Sequence, residues 1–65
     1  MTGISEIVKT YIDENPNNPG QIVEEVEREL LKQLMMKTRG NISAMARMLH
    51  LNRSTVTARL ERLGI

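Results

Sequence analysis

The sequence contains no cysteine, so it can form neither a disulfide nor a thiolate metal site. Its single histidine cannot build a zinc site without ligand partners. Tryptophan and phenylalanine are also missing, and Tyr11 is the one aromatic ring. That excludes the stacking platforms on which proteins hold single-stranded DNA or RNA. The sequence offers no glycine-rich phosphate loop and no convergent carboxylate pair, and no catalytic set gathers around His50. Enzymatic activity, a cofactor, a metal and a small-molecule substrate are therefore not expected. No apolar run approaches the ~20 residues of a membrane helix, and the N-terminus lacks a signal-peptide pattern. The expectation is a soluble, cytoplasmic protein with no membrane partner.

The 65 residues allow one domain at most, and a chain this short is only marginally stable alone. With disulfides and metals excluded, oligomerisation is the remaining support. The net charge of +1 hides an asymmetry. Residues 1–36 carry seven acidic and three basic side chains; residues 37–65 carry six basic ones and only Glu61 as an acid. A polyanion-binding half joined to an acidic half accounts for that split.

Apolar spacing predicts four helices and no strand. Ile4, Ile7, Val8, Tyr11 and Ile12 form one stripe, which the Asn15–Gly20 cluster ends. Asn18 is expected to cap a second helix, with Pro19 at its first position, running to about Thr38. Ile22, Val23, Val26, Leu30, Leu31, Leu34, Met35 and Met36 span too wide an arc for one partner. They imply the helix's own core and a second surface, with a dimer face expected at Ile22, Val26, Leu30 and Leu34. Glu24, Glu25, Glu27 and Glu29 read as a solvated face near the positive helix end, and Gly40 as the stop.

The remaining residues form two short helices. Asn41 caps the first, whose apolar positions are Ile42, Met45, Ala46 and Leu49. His50 and Leu51 make the connection. Asn52 caps the second, in which Val56, Leu60 and Leu63 are buried before Gly64 ends it. His50 reads as a turn residue, and Met36, Met45 and Met48 as core or interface filler. Two short helices across a turn of about three residues, the second rich in arginine and hydroxyls, describe a helix-turn-helix. Such a unit lays its second helix in the major groove of double-stranded DNA. Asn52 can pair bidentately with adenine and Arg53 with guanine. Ser54, Thr55 and Thr57 are candidates for the DNA backbone, as are Arg59 and Arg62 farther along and Arg39 and Asn41 ahead of the third helix. Arg47 either touches phosphate or sits in water.

Thr38-Arg39-Gly40-Asn41, then Ala46, Leu49, Leu51-Asn52-Arg53, Thr55, Leu60 and Leu63-Gly64, resemble the C-terminal pattern of the Fis (factor for inversion stimulation) family. The DNA-binding domains of NtrC-type activators share that pattern. The resemblance is most specific over residues 38–65 and extends loosely through the first two helices.

The resemblance implies an all-α, four-helix subunit, intertwined as a homodimer through its first two helices. Residues 1–38 would dimerise and residues 39–65 would bind DNA, within one compact domain. It also implies recognition helices closer than one duplex turn, and hence bent DNA. Asn52 and Arg53 would read bases, while Arg39, Asn41, Ser43, Thr55, Arg59 and Arg62 hold the backbone.

The sequence departs from the family in three places. His50 replaces a turn glycine; Thr57, Ala58 and Glu61 replace basic residues; and only three residues precede the first helix, so contact with recombinases is not carried over. The expected role is a nucleoid-associated transcription regulator that binds and bends DNA with low sequence stringency. Two alternatives stay open: an excised output domain of an NtrC-type sigma54-dependent activator, and a helical dimer or adaptor without DNA. Met1 and the well-formed first helix favour the free-standing protein.

Overall fold

A computed structural model describes residues 3–65 and contains four α-helices: α1 (Ile4–Glu14), α2 (Gln21–Thr38), α3 (Ile42–Leu49) and α4 (Arg53–Leu63). Residues 1–2, the start of the expected dimerisation region, lie outside the described residues. The periodicity is realised in all four helices, and α2 ends at Thr38 as expected, but its start moves. Asn18 does not cap it: its side-chain amide donates to the Gln21 side chain at 3.0 Å. The chain enters through single tight turns, Gln21 to Asn18 and Ile22 to Pro19, so the regular helix starts at Gln21.

Three helices stop by one device. The residue after α2, α3 and α4 is left-handed: Arg39 at φ 56°, His50 at φ 58° and Gly64 at φ 73°. The following amide then reaches back five residues. Gly40 bonds the Met35 carbonyl at 2.9 Å, Leu51 that of Ala46 at 2.9 Å, and Ile65 that of Leu60 at 3.0 Å. This is the Schellman arrangement, which satisfies carbonyls otherwise left without donors. The stop expected at Gly40 therefore falls one residue earlier, on Arg39, and Gly40 follows with its own positive φ of 80°. His50 holds the left-handed turn position expected of it; histidine tolerates that region better than most residues.

The core is small and sits at one end of the molecule. Leu31 and Leu34 of α2, Met45 and Ala46 of α3, and Val56, Leu60 and Leu63 of α4 are buried together. Met35, Ile42, Leu49 and Leu51 close its edges. The core thus crosses the Thr38/Arg39 boundary. Leu34, expected at a dimer face, belongs to it: its side chain is spent inside its own subunit. Met45 is core filler, whereas Met36 and Met48 are exposed.

α1 buries none of its residues. Its Tyr11 phenol is raised above its ordinary pKa by desolvation and by the charge and hydrogen bond of Glu25 on α2. Ile4, Ile7, Ile12, Val23, Val26 and Leu30 all remain exposed. The radius of gyration of 13.8 Å exceeds the roughly 11 Å of a compact domain this long.

Candidate nucleic-acid interface

α3 and α4 are joined by the three residues His50, Leu51 and Asn52. Both helices begin on an asparagine whose side chain caps the next turn. Asn41 Oδ1 accepts from the Ala44 amide at 3.1 Å, and Asn52 Oδ1 from the Thr55 amide at 2.8 Å. These caps fix where each helix starts, and so aim the first turn of α4.

The cap also limits what Asn52 can read. Its Oδ1 accepts two further bonds, from the Ser54 hydroxyl at 2.9 Å and the Thr55 hydroxyl at 2.6 Å. A bidentate pair with adenine needs that oxygen as acceptor and the side-chain amide as donor. Only the amide is uncommitted, so the structure turns Asn52 toward capping. The hydroxyl protons expected to meet phosphate from Ser54 and Thr55 are likewise used on Asn52. The backbone amides of Arg53 and Ser54 make no hydrogen bond among the described residues, which leaves the helix N-terminus open to an anion.

Arg53 is exposed at the first position of α4. It makes no hydrogen bond or ion pair with another described residue. Thr57 stands one turn along from it and is exposed. Val56, Leu60 and Leu63 form the stripe of α4 that packs into the core, and Arg53 and Thr57 lie at its exposed edge. Ser54, Thr55, Ala58, Arg59 and Arg62 line a shallow cleft of about 310 Å³ along α4. Arg39, Asn41 and Ser43 are also exposed, but they belong to the α2–α3 turn and the start of α3 and do not line that cleft.

Arg59 and Arg62 are not free cations. Arg59 Nη1 lies 3.3 Å from Glu27 Oε2, and Arg62 Nη2 bonds Glu27 Oε1. Glu27, read from sequence as part of a solvated face, is only 21% exposed in its side chain and is the meeting point of α2 and α4. Beside it, Arg28 donates to the Leu63 carbonyl and pairs with Glu24 at 3.7 Å. The missed signal is one of register. Glu27, Leu31 and Leu34 fall at i, i+4 and i+7, which puts the carboxylate on the core face of α2.

Among the described residues no group of acidic, histidine or cysteine side chains could hold a metal ion. No described helix is long and apolar enough to cross a membrane.

No curated protein and no solved structure matches the chain. One family model does, that of the bacterial regulatory proteins of the Fis family, over residues 22–63. The match takes in nearly all of α2 and the whole of α3 and α4, the same helices that make the core and the capped recognition turn. A non-catalytic helix-turn-helix regulator that binds DNA is what sequence, packing and family have in common, and the chain belongs to the Fis family of bacterial regulatory proteins.

Proposed function

We propose that the chain acts as a homodimer on the bacterial nucleoid, binding and bending duplex DNA with low sequence stringency. In this reading α4 enters the major groove. Arg53 reads guanine, and Asn52 serves mainly as the cap that aims it. Arg39, Ser43, Thr57 and the open N-terminus of α4 hold phosphates, with Asn41 offering its side-chain amide. Residues 1–38 dimerise and 39–65 bind DNA. The carrying observation is Arg53: an exposed guanidinium with no partner among the described residues, on the first turn of a capped helix that the core holds in place through Val56, Leu60 and Leu63.

The case for a dimer is one of area. The chain exposes 5163 Å², whereas a folded monomer of 7.4 kDa exposes roughly 4,200 Å². The excess, near 950 Å² by that comparison, is close to the ~800 Å² each partner contributes to a standard interface. Val26 at 58% exposed and Leu30 at 46%, with the half-buried Ile22, supply the apolar centre. Two-fold symmetry then presents two recognition helices to one duplex.

The test is binding to mixed-sequence duplex DNA across a salt series. With ~6 phosphates contacted per dimer, the slope of log K against log salt is expected near −5. Arg53→Ala is expected to cost ~1–3 kcal/mol and to relax base preference. A flat salt response, or an Arg53→Ala variant that binds like wild type, overturns the assignment. Sedimentation equilibrium that finds only monomer at micromolar concentration removes the dimer.

A further inference from the structure

Arg59 and Arg62 stand four and seven residues after Thr55 on α4 and border the cleft that also holds Ser54 and Thr55. Their side chains are 42% and 64% exposed, enough for a phosphate oxygen to reach them. Yet both share one carboxylate on another helix, and Glu27 is held there by its place on the core face of α2. Two guanidinium groups on one carboxylate present a single net positive charge. A phosphate that approaches either arginine must also approach Glu27, and like charges at that range repel.

We propose that Glu27 is an electrostatic brake on DNA binding: it holds Arg59 and Arg62 back from the phosphate backbone, so that the sequence-independent part of affinity is kept low beside the contribution of Arg53. The inference rests on the DNA-binding reading and deepens it. Glu27 touches no DNA in this scheme; it acts through the two arginines and is a positioning residue. The ion pairs are partly solvated, so the brake yields to a phosphate rather than blocking it. Its effect is read in salt dependence, because each further phosphate neutralised adds about 0.9 to the slope.

The experiment uses the full chain and a mixed-sequence duplex. Four proteins are compared by fluorescence anisotropy over a salt series: wild type, Glu27→Gln, the Arg59→Ala/Arg62→Ala pair, and all three changes together. Glutamine keeps the shape and an acceptor oxygen, so the helices stay joined while the charge goes. Glu27→Gln is expected to bind tighter at low salt and to steepen the slope by about 0.9 for each arginine released. Each released arginine also makes the loss of affinity between about 0.05 and 0.2 M salt roughly 3-fold larger. Without the two arginines, Glu27→Gln is expected to change neither quantity.

A folded Glu27→Gln protein whose slope is no steeper than wild type overturns the brake alone. So does an equal gain with and without the arginines, which would be a general charge effect. Wild-type protein with no salt-dependent binding overturns the DNA reading and the brake with it. Circular dichroism reports folding. Should Glu27→Gln unfold, Glu27→Leu substitutes: it removes the carboxylate while keeping an apolar side chain on the core face of α2, and an unchanged slope there counts equally against the brake.

Discussion

Leu30 and Leu31 are neighbours on α2, yet Leu30 is 46% exposed and Leu31 2%. The pair marks a division that runs through the whole molecule. On Leu31's side, the C-terminal half of α2 closes with α3 and α4 into a seven-residue core, and each helix end there carries its own stop. On Leu30's side, α1 and the start of α2 also carry apolar residues, but Val8, Tyr11 and Ile22 are only half-buried and Ile4, Ile7, Ile12, Val23 and Val26 stay exposed. The first region is completed by local contacts between successive helices. The second has the composition of a core and the exposure of a surface, which is the state expected of half an interface. A single chain can be well capped and still structurally unfinished.

The sharpest way to break this comparison is to truncate the two leucines in turn. Leu31→Ala removes a fully packed side chain and is expected to cost about 2–5 kcal/mol. A core this small supplies little more than that in total, so the variant is expected to be largely unfolded by circular dichroism at 25 °C. Leu30→Ala touches only the open side. Its melting curve at high dilution, where monomer prevails, is expected to match wild type. Equal losses from the two variants would show that α2 is not divided in this way.

Val26→Glu tests the open side directly. The substitution places a carboxylate where each subunit of a two-fold pair presents the same patch, so the charge enters the interface twice. Losing the burial of one valine is worth about 1.5–3 kcal/mol and two are lost per dimer, so the dissociation constant is expected to rise by at least about 100-fold. Sedimentation equilibrium measures it. An unchanged mass distribution would mean that the exposed stripe of α2 is not the dimer face, whatever else covers it.

Much of the closed region is legible in the sequence, because its signals are local. The caps at Asn41 and Asn52 follow from side-chain chemistry, and the Met45, Ala46, Val56 and Leu60 positions from helical spacing alone. The double apolar arc of α2 is also visible there. The assignment of Leu34 to one side of it is not, since that depends on where α3 and α4 approach. The stop at Arg39 instead of Gly40 has a similar cause. Glycine composition marks the neighbourhood, but the hydrogen bond from the Gly40 amide to Met35 decides which residue turns left-handed. The ion pairs of Glu27 lie more than thirty residues apart in sequence, at 32 for Arg59 and 35 for Arg62, and no local rule joins them. The site is legible as a helix-turn-helix; the three bonds that Asn52 accepts and the pairing of Arg59 and Arg62 with Glu27 are not.

Gly40 tests whether the ends of the closed region contribute to its stability. At φ 80° an added Cβ meets nothing nearer than Met35 Sδ at 3.7 Å, so an alanine there fits in space but not in backbone conformation. Gly40→Ala is expected to cost about 1–2 kcal/mol. At roughly 4–8 °C per kcal/mol for a domain of this size, the melting temperature falls visibly. A neutral result would show that the α2–α3 turn relaxes freely and that the stop contributes nothing.

The smallest effect is the reverse substitution. His50 occupies the left-handed position between α3 and α4 at φ 58°, where glycine carries no steric cost. Relief of that strain favours His50→Gly, while the greater freedom of glycine in the unfolded chain opposes it by about 0.4–1 kcal/mol. Histidine is among the residues that enter this region most readily, so the strain to relieve is itself modest. The balance is expected near +0.5 kcal/mol, a gain of a few degrees in thermal melting. Arg39→Gly is expected to gain more, because arginine lacks histidine's tolerance at φ 56°. The order of the two variants therefore matters more than either value. If His50→Gly stabilises more than Arg39→Gly, the strain in this chain is concentrated in the turn that aims α4, and the closed region is least relaxed where it would meet DNA.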